Sequence, residues 1–590
     1  MKKVSDIIFD YIASLGVKHV FYLPGGGAMH LDDSLGHHEG ITSICMLHEQ
    51  PCSIAAEAYA RISEGFGVCV VTSGPGATNA ITGLAGAWLD GTPVIFLSGQ
   101  AKRADLVNGQ GIRQFGIQEI NIIDIVRPIT KYAVQVREAQ DILYELEKAT
   151  ALAKEGKPGP VWLDIPLDIQ ASKVEHNTLR HYIGKQPVYE CKDEDIQKTI
   201  DLLNQSERPL VLLGYGIRQA KAITEMRELI EKLQVPVMTT WNGVDLIEDE
   251  NPLFFGRPGA VGHRHANFIQ QNADFVLTIG TRLNLLSTGY DFDSFLRRAK
   301  HVMVEIDENE MKKCSVHPDL AIHADAKSFL QKMLAHQEQI EDKSREAWWR
   351  YCKDIKAKYP IFIPEQSPDG EGINTYTLAN SISEKMTNDD IYQFTSSGTA
   401  VDIPMYTLRF KKGQRAFTTK GLASMGFDLS ACIGSCLASG GKRTICMTGD
   451  GGFMMNVQEL ATLHQLNLPV KIFILCNEGY GMIFNSQAGN FKRLTGCTKD
   501  SGLQLPNIKK VVESFDVKCY SVENEAELDS KIDKVLAYDG PAICTVKIYI
   551  GQKIMPRQTN YMKPDGQMAS RPLEDMSPLL DREEFNGNML

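Results

Sequence analysis

At 590 residues the chain is too long for one hydrophobic core, so three or four domains are expected. Its 43% hydrophobic and 23% charged residues describe an ordinary globular composition, and a dispersed net charge of −11 argues against nucleic acid as its natural partner. Thirteen Cys with neither metal-ligand nor disulfide spacing point to a reducing, cytoplasmic setting, and no apolar run has the length of a membrane span.

The chain starts Met-Lys-Lys, but Asp6 and Asp10 interrupt any apolar signal core. Val4, Ile7, Ile8, Tyr11, Ile12 and Leu15 instead follow helical spacing and predict an amphipathic first helix. In a first block, 1–175, apolar runs predict strands near 20–23, 68–72, 93–98 and 161–165. A polar stretch, 172–195, reads as a linker. A second block, 190–340, has candidate strands near 210–213, 235–239, 275–279 and 302–306. A charged, proline-containing stretch, 337–372, leads on to a third block, 370–550. There the strands are expected near 391–394, 444–448, 470–476 and 542–546. Strands alternating with helices predict an α/β protein of three doubly wound parallel-sheet domains. Residues 551–590 have no clear periodicity and read either as a disordered tail or as a closing flap.

The densest chemical signal lies in the third block. A buried strand, 444–448, runs into Gly449-Asp450-Gly451-Gly452; helical signals follow over 453–465; the apolar run 470–476 ends at Asn477. A strand–helix–strand unit sets two parallel strands side by side with their C-terminal ends on one edge, which brings Asp450 and Asn477 together. Both offer oxygen, the ligand a small hard cation such as Mg²⁺ takes while it stays bound to phosphate. The glycines let the backbone approach that phosphate closely. A lone Gly-Asp-Gly is only a strand-end turn, but here 25 residues (452 to 476) separate Gly451 from Asn477. That count and context resemble the thiamin-diphosphate fingerprint, a resemblance that implies a site for the metal-bound cofactor.

Thiamin chemistry also needs a carboxylate in a dry site, hydrogen-bonded to the cofactor's pyrimidine. Glu49 follows an apolar run and precedes the small-residue helix around residues 55–60. It faces the ligand crevice if it sits at a strand's C-terminal end. Spacing alone favours the other reading, a first-turn acid interacting with the helix dipole. Two glycine loops, 23–27 and 72–79, can bring backbone amides to a ligand or a neighbouring subunit, and each can also be an unadorned turn.

Together these segments resemble the thiamin-diphosphate enzymes of the acetolactate synthase type, over nearly the whole chain up to about residue 550. The matching stretches are 23–27, 48–50 with 56–61, 72–79, 116–119, 129–131, 159–166, 421–427 and 449–477, including Asn456-Val457-Gln458-Glu459. The resemblance implies that Glu49 activates the cofactor and that Gln118 lies beside the reacting centre. It implies metal ligation by Asp450, Asn477 and the carbonyl of Gly479, and a prop for the bent cofactor in Met425. The implied cofactor-binding set also takes in Gly25, Gly26, Pro75, Asn79, Ser397, Gly449, Gly451, Gly452, Tyr480, Gly481, Met482 and Ile483. In this family the glutamate and the diphosphate site come from different subunits, so a homo-oligomer with shared sites is implied, and a regulatory subunit is a further expected partner. Blocks one and three would be the pyrimidine- and diphosphate-binding domains.

Two departures concern the substrate. The family's pocket tryptophan falls near Ser486 here, and an arginine that holds the acceptor carboxylate falls at Leu286. Losing a bidentate clamp is not neutral. The expected reaction is decarboxylation of pyruvate, or a similar 2-oxo acid, with transfer of the two-carbon unit to an acceptor carbonyl. The alternatives are a carboligase with an acceptor such as a keto-sugar nucleotide, a decarboxylase or lyase in which His48 moves a proton, and a non-catalytic paralogue. Intact Glu49, Asp450 and Asn477 argue against the last. The turns 214–216, 256–259, 280–282 and 305–307 of the middle block match flavin-binding relatives, but relatives without flavin keep similar turns, which leaves FAD open.

Overall fold

The computed structural model describes residues 1–184, 187–361 and 372–590. Parts of both expected connecting stretches, 185–186 and 362–371, lie outside the described residues. The chain divides into two compact units. One comprises 1–187, 389–400 and 419–550; the other comprises 188–388, 401–418 and 551–590.

The first unit holds two parallel sheets. One contains β1 (His19–Tyr22), β2 (Thr42–Cys45), β3 (Gly67–Val71), β4 (Val94–Gln100), β5 (Tyr132–Gln135) and β6 (Val161–Pro166), in the order β2-β1-β3-β4-β6-β5. The second unit has its own parallel sheet of β7 (Pro209–Leu213), β8 (Val237–Thr239), β9 (Phe275–Ile279), β10 (Lys300–Glu305) and β11 (Leu320–His323), in the order β8-β7-β9-β10-β11. The other sheet of the first unit contains β12 (Ile391–Phe394), β13 (Thr444–Gly449), β14 (Val470–Cys476), β15 (Lys518–Val522) and β16 (Ala542–Lys547), in the order β12-β13-β14-β16-β15. The doubly wound α/β expectation therefore holds. The predicted first helix is present as Val4–Ser14.

Within the first unit, one apolar core joins its two sheets. Phe96 and Trp162, stacked with centroids 5.0 Å apart, belong to the same cluster as Leu429, Ile472 and Ile474. The helix Glu49–Ser63 runs through this core and is buried for most of its length. Its alanines let neighbours come close. A Cβ at Gly67 would stand 1.9 Å from the Ala56 carbonyl oxygen, and one at Gly434, in the helix Phe427–Ala438, 2.1 Å from that of Ala55. Glycine is required at both places for lack of space, and the Glu49 helix is clamped from a strand on one side and a helix on another.

The terminal stretch folds on the second unit, contrary to the disordered-tail expectation. It forms a two-stranded hairpin (Asn560–Met562 with Met568–Ser570) and a short helix, Arg582–Gly587. Buried polar groups of the helix Arg264–Asn272 hold it down: Asn267 donates to the Leu573 carbonyl at 2.8 Å, Arg264 to that of Pro578 at 2.6 Å, and the Leu590 amide donates to Asn272 at 2.8 Å. The helix expected over 453–465 is broken into Asp450–Phe453, a 3₁₀ turn Met454–Asn456 and Glu459–Leu466. No described helix is long and apolar enough to cross a membrane.

Candidate active site

Strands β13 and β14 pair in parallel, with Gly449 opposite Leu475, so the residues that follow leave the same sheet edge together. Asp450 is 2% exposed. Its Oδ1 accepts the Gly451 amide at 2.8 Å, and its Oδ2 accepts those of Asn477 and Glu478 at 3.1 and 2.8 Å. One carboxylate thus ties the two strand ends together. Burial pushes its pKa up to about 6 against the opposing pull of these three amides. The Asn477 Oδ1 accepts the Gly479 amide at 3.2 Å, and the turn is closed by the Tyr480 amide donating to Cys497 O at 3.0 Å. Glu478 takes a left-handed φ of 57° in this turn. A Cβ at Gly451 would stand 2.3 Å from the Tyr480 ring, and one at Gly481 2.9 Å from Asn477 Nδ2, so both glycines are needed for the two turns to interlock.

The remaining residues predicted for this edge gather around it. A Cβ at Gly398, beside Ser397, would lie 3.8 Å from Met482 Cγ. Met425 precedes Gly426, whose carbonyl accepts from Asn456 Nδ2 at 2.8 Å. A Cβ at Gly452 would lie 3.6 Å from Asp428 Oδ2, and one at Gly449 would meet no described atom within 4 Å. Ile483 is 46% exposed at the start of the helix Gly481–Phe491. Asp450, the Asn477 amide and the Gly479 carbonyl form an all-oxygen donor set on adjoining turns, a composition that fits Mg²⁺. Among the described residues no group of three His, Cys, Asp or Glu gathers to hold a metal. The candidate set instead combines one carboxylate with neutral oxygens.

A second cluster forms on the first sheet. Glu49 is the first residue of its helix, capped by His48, whose Nδ1 accepts the Gln50 amide at 3.1 Å. The two sequence readings of Glu49 therefore meet: it is a first-turn acid, and only residues 46–48 separate it from the end of the parallel strand β2. It is 8% exposed, and Asn79 Nδ2 donates to its Oε2 at 3.0 Å. A Cβ at Gly76 would lie 3.4 Å from Oε1. Thr72 fastens the neighbouring loop, since its Oγ1 accepts the Gly27 amide at 3.0 Å and a Cβ at Gly25 would collide with it. Pro75 opens the short helix Pro75–Asn79, Gly26 has no described atom within 4 Å of a Cβ position, and the Gly25 amide donates to Asp32 at 3.0 Å. Gln118, at a left-handed φ of 59°, lies over Gly74: a Cβ there would come within 2.8 Å of the Gln118 carbonyl.

Hydrogen bonds thus gather the predicted residues in two clusters rather than one. Glu459 ties the segment ahead of Glu49 to its own helix, Glu459–Leu466, within the first unit. It is wholly buried, its Oε1 accepts the Leu47 amide at 3.0 Å, and its Oε2 accepts from Thr462 at 2.7 Å. Burial raises its pKa. Sequence reasoning quoted its motif without giving it a role. It also missed Asp428, fully buried and bonded to Thr448 and Thr395, which backs the Gly449–Gly452 turn. A single Asp in an apolar helix sequence was the available signal for it.

In the second unit, the Gly214–Gly216 and Gly280 turns pack backbone to backbone, a Cβ at Gly214 falling 2.3 Å from the Gly280 carbonyl. Packing alone accounts for these glycines. Leu286 offers its carbonyl to the Ala260 amide at 2.7 Å, and Ser486 is exposed on the helix Gly481–Phe491.

Two polar clusters lie beyond the carboxyl ends of parallel strands in an α/β fold, and three family models give the class of enzyme. The N-terminal TPP binding domain of thiamine pyrophosphate enzymes matches residues 2–125, the central domain 196–333, and the C-terminal TPP binding domain 398–546. Among curated proteins, the chain is 31% identical over 565 residues to the acetolactate synthase large subunit of Cyanidium caldarium, covering 93% of this chain and 94% of that one. It is 30% identical over 552 residues to acetolactate synthase isozyme 1 large subunit of Escherichia coli K12 (94% and 95% covered). It is 32% identical over 567 residues to the probable large subunit of Methanocaldococcus jannaschii (92% of each). The chain belongs to the acetolactate synthase large-subunit family of thiamine pyrophosphate enzymes.

Proposed function

We propose that this protein is a thiamin-diphosphate-dependent carboligase that decarboxylates pyruvate, or a similar 2-oxo acid, and transfers the two-carbon unit to an acceptor carbonyl. Family membership supports the reaction class, and the observation that carries the assignment of residues is the buried Asp450 bridging two parallel strand ends. When bound, thiamin diphosphate supplies an electron sink for the carbanion released by decarboxylation. Asp450, Asn477 and the Gly479 carbonyl would hold Mg²⁺ against its diphosphate, with Gly449–Gly452 and Tyr480–Ile483 lining the same edge. Ser397 and Met425 would flank the cofactor there, and Gly25, Gly26, Pro75 and Asn79 its pyrimidine side. Glu49 would share a proton with a pyrimidine nitrogen, and the Asn79 bond to Oε2 leaves Oε1 to do so. Gln118 would contact the reacting groups.

The corresponding domains are 1–175 for the pyrimidine, 190–340 as a central domain and 370–550 for the diphosphate, followed by 551–590. The two separate clusters fit a homo-oligomer whose sites each draw one cluster from either subunit, in a cytoplasmic protein with thirteen free thiols. Mixing inactive Glu49→Gln and Asp450→Ala chains tests the sharing: hybrid dimers regain one intact site and measurable activity, whereas sites confined to single chains regain none. The relatives' designation as large subunits makes a regulatory chain a further proposed partner, to be sought by co-purification. An absorption spectrum of the purified protein reads FAD directly.

Incubation with pyruvate, thiamin diphosphate and Mg²⁺ tests the reaction itself. Mass spectrometry should find CO₂ together with 2-acetolactate. Release of CO₂ with acetaldehyde alone would overturn carboligation in favour of simple decarboxylation.

A further inference from the structure

Residues 101–120 leave the end of β4 and return at Ile120, two residues after Gln118. The side chain of Gln100, the last residue of β4, ties both ends of this excursion. Its Oε1 accepts the Ala101 amide at 3.0 Å, and its Nε2 donates to the Ile120 carbonyl at 2.9 Å. The second Nε2 proton goes to Asp164 Oδ2 at 3.0 Å. Every bonding group of this amide is used, and the side chain is 1% exposed.

The amide has two orientations, and only one puts nitrogen toward Ile120 and oxygen toward Ala101. Asp164 selects it. Asp164 is 1% exposed in β6 and also accepts from Gln135 Nε2 at 3.0 Å and Ser98 Oγ at 2.7 Å. Trp162 Nε1 donates to Ser98 Oγ at 2.8 Å, so the serine proton is directed to the carboxylate. Three donors converge on this acid, which no step of the proposed chemistry uses. A buried carboxylate surrounded by donors acts as a fixed acceptor, and a flipped Gln100 would turn its own oxygen against it. At the far side Gln118 is wedged in a left-handed conformation over Gly74. A shift of Ile120 therefore displaces Gln118.

We propose that Gln100 is a positioning residue for Gln118, its side-chain amide fastening both ends of residues 101–120 in the orientation that Asp164 imposes. This deepens the reading above and rests on Gln118 lying at the reacting centre. Gln100→Leu removes all three bonds at similar volume, Gln118→Ala removes the positioned side chain, and Gln135→Leu removes a bond to Asp164 without touching either end of the segment.

Displacement of a contacting group by an ångström costs up to ~10²-fold, so Gln100→Leu should lower kcat/KM for 2-acetolactate formation about 10- to 100-fold. Thiamin diphosphate affinity should stay within about twofold, and Gln135→Leu should stay within about threefold of wild type. The double variant Gln100→Leu/Gln118→Ala should be no worse than Gln118→Ala alone, because Gln100 acts through Gln118. Hydrogen exchange should quicken at the amides of residues 101–120 and not in β6. Losses that multiply in the double variant, or unchanged exchange over 101–120 in Gln100→Leu, would overturn the proposal. If Gln118→Ala is itself fully active, the placement of Gln118 fails, and the exchange result still decides whether Gln100 fastens the segment.

Discussion

The Asp450 cluster takes its oxygens from two strand ends that parallel pairing sets side by side, whereas the Glu49 cluster is assembled from turns at 25–27, 72–79 and 118 that lie far apart in sequence. In the first, backbone topology does most of the placing and one carboxylate locks it through three amides. In the second, side chains such as Thr72 and Asn79 have to hold one loop to the next. The cation site proposed for the first tolerates the rigidity of a sheet edge, while the proton-sharing carboxylate proposed for the second needs a tuned, nearly dry pocket that several loops can shape.

That contrast can be probed from either side. The largest effect is expected for Glu49→Gln, which keeps shape and an oxygen for Asn79 but cannot share a proton; turnover should fall ~10²–10⁴-fold while calorimetric cofactor binding persists. Asp450→Ala should do the reverse and weaken Mg²⁺-dependent cofactor uptake by at least the ~10–100-fold known for lost partners of metal ligands. Equal losses of binding in both variants would erase the distinction between the clusters.

A pH effect sharpens it further. Burial raises Asp164, beneath the Gln118 segment, from 3.8 to about 6. The folded protein then keeps a proton that the unfolded chain has already released, so this contribution to stability is full below the unfolded value and is lost as pH rises through about 6. Relative to Asp164→Asn, the wild type should lose on the order of 2–3 kcal/mol across that window, read from denaturant midpoints. A parallel pH dependence in the two proteins would contradict it. Smallest is Asn79→Ala, which frees one bond to Glu49 and should cost about 0.5–1.5 kcal/mol in stability, measured by thermal unfolding.

The same contrast explains what could be read from the sequence. Strands β13 and β14, central and fully paired, are continuous apolar runs and were predicted almost to the residue. The edge strands β5, β11 and β15 (Tyr-Ala-Val-Gln, Leu-Ala-Ile-His and Lys-Cys-Tyr-Ser-Val) were not, because an edge strand is half solvated and loses the apolar run that marks a strand. Asp450 and Asn477 were legible because the unit between them is local. Glu49 needed family resemblance, since its partner Asn79 lies 30 residues away and spacing alone gives only a first-turn acid. Glu459, bonded to Leu47 across 412 positions, carried no local signal at all.

The most direct test is a calorimetric titration of thiamin diphosphate into the purified protein, with and without Mg²⁺. Saturable uptake that depends on the metal, and that Asp450→Ala abolishes or weakens, is the predicted result. No uptake with Mg²⁺ in excess, or uptake indifferent to both the metal and Asp450, would contradict the account.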